Sequence, residues 1–150
     1  MRGLFLAALL GLQAEKPALF EGCGKLVCLI EEMKEKYQAQ AAPGHDHLWG
    51  FRVDDKAQAG GARYYTLFRN AGSEALFVDR RFRDRELRLY GRVFPSSSVL
   101  EVSRFQWYRE GKLMDVYYWC EVCSIRGVDP GPCACCQAKV ELRESPVQEK

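Results

Sequence analysis

Apolar and polar positions alternate over most of the chain between Leu48 and Trp119, the period-two pattern of half-buried strands. Leu48 to Val53 and Arg63 to Phe68 read as two short strands, parted by a loop containing Gly60-Gly61. Leu87, Leu89 and Val93 fall on one face of a third, with Glu86, Arg88 and Arg92 on the other. After a Pro95-Ser96-Ser97-Ser98 loop, Val99 to Tyr108 and Leu113 to Trp119 form a hairpin about Arg109-Glu110-Gly111-Lys112. Upstream, Ala18 to Cys28 reads as a short strand, a turn at Gly22-Cys23-Gly24-Lys25 and a second strand over Leu26-Val27-Cys28-Leu29. From Ile30 the period changes: Ile30, Met33 and Tyr37 share an edge at helical spacing, and Glu32 faces Lys36 one turn on. Ala41-Ala42-Pro43-Gly44-His45-Asp46 is a loop, Asn70 to Phe77 holds about one helical turn, and Glu141 to Lys150 is a polar tail. The expected fold is α+β and mostly β: a small curved antiparallel sheet or an OB-like barrel with one short helix.

The length of 150 residues suits one domain with a small appendage, and 47% hydrophobic with 28% charged residues excludes a disordered chain and a polytopic membrane protein. A net charge of +2 is too close to zero to imply a polyanionic partner. Met1-Arg2-Gly3, the apolar run Leu4 to Leu12, and Gln13-Ala14 have the order of a secretory signal cut after Ala14. A membrane span needs about 20 apolar residues, so this run is too short to anchor. Residues 1–14 are thus expected to be a signal peptide, 15–116 the β-rich domain, 117–144 a cysteine knuckle and 145–150 a polar tail. The protein is expected to be exported, periplasmic or secreted.

Five of the seven cysteines lie between Cys120 and Cys136. Cys120, Cys123, Cys133 and Cys136 spell C-x2-C-x9-C-x2-C, in which each pair aims two sulfurs at one point and two pairs complete a tetrahedron. Pro130-Gly131-Pro132 supplies the reversal between them. This zinc-ribbon-like knuckle is expected to hold one structural Zn²⁺, with no open position for water. Disulfides and rubredoxin-like iron are the competing readings. Four thiolates on Zn²⁺ leave a net −2, which Arg126, Lys139 and Arg143 are placed to offset. Cys135 reads as a spare thiol. Cys23 and Cys28 are open to two readings, a disulfide or half-buried strand cysteines.

The stretch Asp115 to Glu144, DVYYWCEVCSIRGVDPGPCACCQAKVELRE, with GRVFPSSSVLEV and REGKLMDVYYW upstream, resembles the signature of short, uncharacterised exported proteins of planctomycete-type bacteria. The resemblance implies a small β domain followed by a thiol-rich metal knuckle, and implies no activity. Tyr118, Cys120, Pro130, Gly131, Cys133 and Cys136 are also similar to the heavy-metal-binding motif of periplasmic efflux proteins. Glu121-Val122-Cys123 stands where that motif has Pro-Met-His, which favours zinc over soft-metal transport.

Arg80, Arg81, Arg83, Arg85, Arg88 and Arg92, with Phe82 and Tyr90 between them, could cradle single-stranded nucleic acid on an OB-like face. Asp79, Asp84 and Glu86 break up that charge, so a salt-bridged, solvated face is the preferred reading and nucleic acid is not the expected partner. His45-Asp46-His47 offers two imidazoles with no third ligand near in sequence, and reads as an exposed loop. Tyr117, Tyr118 and Trp119 are expected to pack as core beside the knuckle. No nucleophile motif argues for hydrolysis, so the expected function is a non-enzymatic binding or scaffold module for an exported protein or anionic ligand. The alternatives are a metal-handling protein and an OB-like module for an anionic ligand or nucleic acid.

Overall fold

The computed structural model of the chain describes residues 15–55 and 61–148. The expected signal peptide, residues 1–14, lies outside them. Eight strands and two α-helices follow in the order β1 (Ala18–Cys28), α1 (Leu29–Tyr37), β2 (Trp49–Asp55), β3 (Gly61–Phe68), α2 (Glu74–Val78), β4 (Glu86–Val93), β5 (Val99–Arg109), β6 (Lys112–Cys120), β7 (Ile125–Gly127) and β8 (Glu141–Pro146). A 3-10 turn, Arg80–Phe82, sits between α2 and β4.

Strands β1 to β5 close on themselves. β1 pairs antiparallel with both β2 and β4, β2 with β3 and β4 with β5, while β3 runs parallel to β5 from Thr66↔Val99 to Phe68↔Glu101. The ring β1-β2-β3-β5-β4 is an OB-like barrel. Its interior holds Leu26, Phe51, Leu67, Leu87, Leu89, Leu100, Val102, Phe105 and Trp107, together with Ala75 and Leu76 of α2 and Phe82 of the 3-10 turn.

The Gly22-Cys23-Gly24-Lys25 segment is not a turn. β1 is one strand of 11 residues whose first part pairs with β4 and whose last part pairs with β2, the two ladders meeting at Lys25. A strand shared in this way must bend sharply, and Gly24 permits it: a Cβ there would stand 2.0 Å from the Arg52 carbonyl oxygen.

Gly91 in β4 allows a similar approach, with the Glu101 carbonyl 2.0 Å from where its Cβ would be. Beside it the register slips, so that Tyr90 faces Arg104 while Gly91 faces Val102. This bulge changes the inward parity of β5, from Leu100 and Val102 to Phe105 and Trp107.

β5 and β6 are joined by the expected hairpin, with Glu110 at φ 51° and Gly111 at φ 77°, the left-handed pair of a type I′ turn. β6 leaves the barrel and carries a small sheet of its own, pairing with β7 near Cys120 and with β8 from Met114↔Pro146 to Trp119↔Glu141. The segment from Glu141, read as a tail, therefore begins with a strand. Val140 and Leu142 pack against the core, and Glu144 accepts from the Trp107 indole N–H at 2.6 Å. β6 also runs through position 116, so the cysteine segment grows directly from a barrel-rooted strand.

Helix α1 is present, but Tyr37 is exposed and Leu29 is its buried residue. Leu29 fills the space above Gly50, where a Cβ would come within 2.5 Å of the leucine side chain. Among the described residues, no helix is long and apolar enough to cross a membrane.

Candidate metal centre

β6 ends at Cys120, and the chain turns at once into β7, with Cys120 opposite Ile125. This tight reversal contains Cys123 and closes on Ser124 at φ 53°. A second reversal begins at Cys133, whose carbonyl accepts from Gln137 N–H at 2.8 Å and whose own N–H donates to the Ala138 carbonyl at 2.8 Å. It contains Cys136 and closes on Gln137 at φ 60°. The two C-x2-C segments thus share one local design, a left-handed residue directly after the second cysteine. Between them Asp129 accepts from the Gly131 N–H at 2.9 Å, fixing the Pro130-Gly131-Pro132 bend.

The two reversals bring the Sγ atoms of Cys120, Cys123, Cys133 and Cys136 within 4.8 Å of one another. Cys120 Sγ and Cys136 Sγ stand 3.5 Å apart, and all four thiols are free. A disulfide needs sulfurs about 2.05 Å apart. A tetrahedron with metal–sulfur bonds of about 2.3 Å has edges of about 3.8 Å. The spacing matches the second geometry. These four cysteines can hold a metal ion.

Cys120 and Cys133, the first members of each pair, are buried; Cys123 is half-buried and Cys136 exposed. Backbone N–H groups of Cys136 and Cys135 point at the Cys133 sulfur and hold its thiol down to about 7. At Cys120 the Cys123 N–H acts in the same sense, but burial and the neighbouring thiols outweigh it and the thiol is raised. Contact with the thiols of Cys136 and then Cys135 raises Cys123. A metal binds these sulfurs as thiolates, so its binding releases their protons.

No family model matches the chain, and neither a curated protein nor a solved structure matches it.

The surroundings separate the expected helpers of the site. Tyr118 alone of the aromatic triplet is in the core; Tyr117 and Trp119 are half-buried on the other face of β6, beneath Arg126 and Arg143 at 4.1 and 5.4 Å. Arg143 is also ion-paired to Glu121, so its charge is engaged by a carboxylate at the rim. The Tyr118 hydroxyl donates to Asp79 at 2.6 Å, tying the knuckle strand to the loop after α2. Cys135 is exposed.

The arginine stretch is laced with partners: Arg81 with Asp79, Arg88 with Glu21, Arg92 with Glu101, and Arg85 stacked 4.1 Å from the Trp107 ring. Cys23 and Cys28, five apart on one strand, point to opposite faces, so they do not pair. Cys23 lies 3.5 Å from the Tyr108 hydroxyl. Cys28 stands with His45 and His47, all three ligand atoms within 4.8 Å of one another. Cys28, 17 residues before His45, is thus a third donor atom beside the histidine loop.

Proposed function

We propose that this chain is an exported, non-enzymatic binding or scaffold module whose C-terminal segment is locked onto an OB-like barrel by one structural zinc ion. The convergence of the Cys120, Cys123, Cys133 and Cys136 sulfurs carries this reading. Four sulfurs in a tetrahedron suit Zn²⁺ or iron, and zinc brings no redox chemistry to an oxidising compartment. With all four positions taken by sulfur, the metal supplies order: segment 121–140 contains only the three-residue β7 and few buried side chains. The barrel's partner is then an exported protein or an anionic ligand.

Exposure of Cys136 beside exposed Cys135 favours a second reading, in which the knuckle hands its metal on. Exchange with a mild chelator separates the two. A structural ion is retained while the chain is folded, and its forced removal loosens residues 121–140, seen as faster amide hydrogen exchange there. Release within seconds with the fold unchanged would select the handling role. Export is tested by the mature N-terminus, expected at Glu15; exported material still beginning at Met1 would refute the signal peptide.

A further inference from the structure

We propose a second metal site, independent of the four-cysteine knuckle, in which Cys28, His45 and His47 bind a divalent ion of the zinc class and the fourth position is open to water. The excursion between β1 and β2 builds it. Cys28, the last residue of β1, is paired in register with Trp49, the first residue of β2, so the two ends of the excursion meet. The Leu29 N–H donates to the Leu48 carbonyl at 2.9 Å, pinning that junction. Cross-strand partners share a face, so Cys28 and Trp49 lie on the same side. His45, His47 and Trp49 stack in sequence, with ring centroids 5.6 and 5.0 Å apart, and this carries both imidazoles over Cys28. Helix α1 starts at the same place and puts Glu31 in its first turn.

The Cys28 sulfur and one ring nitrogen each of His45 and His47 lie within 4.8 Å of one another, close enough to share one tetrahedral ion. His45 Nε2 stands 3.6 Å from Cys28 Sγ and 3.2 Å from a Glu31 carboxylate oxygen. Bonds of about 2.3 Å to sulfur and 2.0–2.1 Å to nitrogen give a tetrahedral N···S edge of about 3.6 Å, matching the contact to Cys28. His45 Nδ1 lies 3.3 Å from the Ala42 carbonyl. With Nδ1–H donated to that carbonyl, the Nε2 lone pair faces the Cys28 sulfur, the tautomer a metal-bound histidine uses. Cys28 and His45 are partly buried while His47 and Glu31 stand at the rim, so the site opens to solvent and can load after folding.

The His45–Glu31 contact at 3.2 Å needs no metal to form, and the experiment separates the two arrangements. The full-length protein is stripped with chelator under reducing conditions and titrated with Zn²⁺, metal content being read after gel filtration. Two equivalents are expected for the parent, one for His45→Ala/His47→Ala, and one for Cys120→Ser. Neither histidine is in the core, and barrel amide chemical shifts unchanged away from Trp49 in the zinc-free variant verify its fold. As a second reading, zinc should move the ring nitrogen resonances of His45 and His47 in the Cys120→Ser protein. A stoichiometry unchanged by the double histidine replacement, or histidine resonances indifferent to zinc, would overturn the proposal. Failure of the knuckle reading instead would leave one equivalent that depends on His47 and not on Cys120.

Discussion

Replacing Tyr118 by Phe removes one oxygen from the place where the barrel and the cysteine segment are tied together. The ring is 2% exposed and stays in the core, so the change isolates the hydroxyl's bond to Asp79. Asp79 has an 8% exposed side chain and also accepts from the Arg81 backbone N–H at 3.0 Å and from its guanidinium. Burial alone would raise its pKa; the bonds from Arg81 and Tyr118 overcome that and bring it from 3.8 to about 2. A depressed carboxylate stabilises the fold above its unfolded value, and that stability is lost as pH falls toward about 2. The displacement of nearly two pH units corresponds to about 2 kcal/mol at neutral pH. A hydrogen bond to a charged group contributes about 1.5–3 kcal/mol, and since Arg81 remains, Tyr118→Phe should cost about 1.5–2 kcal/mol. Urea unfolding at pH 7 measures this, with Asp79→Asn completing a double-mutant cycle. The parent–variant difference should shrink between pH 4 and pH 2, and because both proteins carry the same knuckle, acid release of metal cancels from it. A Tyr118→Phe cost below about 0.5 kcal/mol, or one that is constant down to pH 2, would refute the argument.

Gly24→Ala should cost about 3 kcal/mol or more by urea unfolding, because its methyl would meet the Arg52 carbonyl oxygen at 2.0 Å and β1 must part from β2; a cost under 1 kcal/mol would mean the bend does not need glycine. Cys133→Ser should lose the knuckle's zinc and Cys135→Ser should keep it, by metal analysis; the reverse result would reassign the ligand. Zinc should leave the knuckle as pH falls, because protons compete for its sulfurs, and more than one proton should be taken up per ion released; a pH-independent affinity between 7 and 5 would contradict thiolate ligation.

Strands β2 to β5 were legible because each has one face in a common core, as with Leu87 and Leu89 in β4 and Phe51 in β2. The four-cysteine spacing was legible because both halves of that site are local reversals. What escaped depended on contacts distant in sequence. Gly22 and Gly24 look like turn residues until the Arg52 carbonyl is known to lie against Gly24. Glu141 to Pro146 looks like a polar tail because its polar residues are satisfied across the sheet, Glu144 by Trp107 and Arg109. Cys28 gave no sign of joining His45 and His47, since the Cys28↔Trp49 pairing is what folds the excursion back. The one available clue was the alternation of His45, His47 and Trp49, which places three rings on one side of an extended segment.

The central claim is that four sulfurs of the C-terminal segment hold one zinc ion. It is tested most directly by zinc-edge X-ray absorption on the His45→Ala/His47→Ala protein, purified without added metal, alongside a count of thiols protected from alkylation. One zinc per chain bound by four sulfurs at about 2.3 Å, with Cys120, Cys123, Cys133 and Cys136 protected until a strong chelator is added, is the expected result. Absence of bound metal, with those cysteines recovered in disulfides, would contradict it.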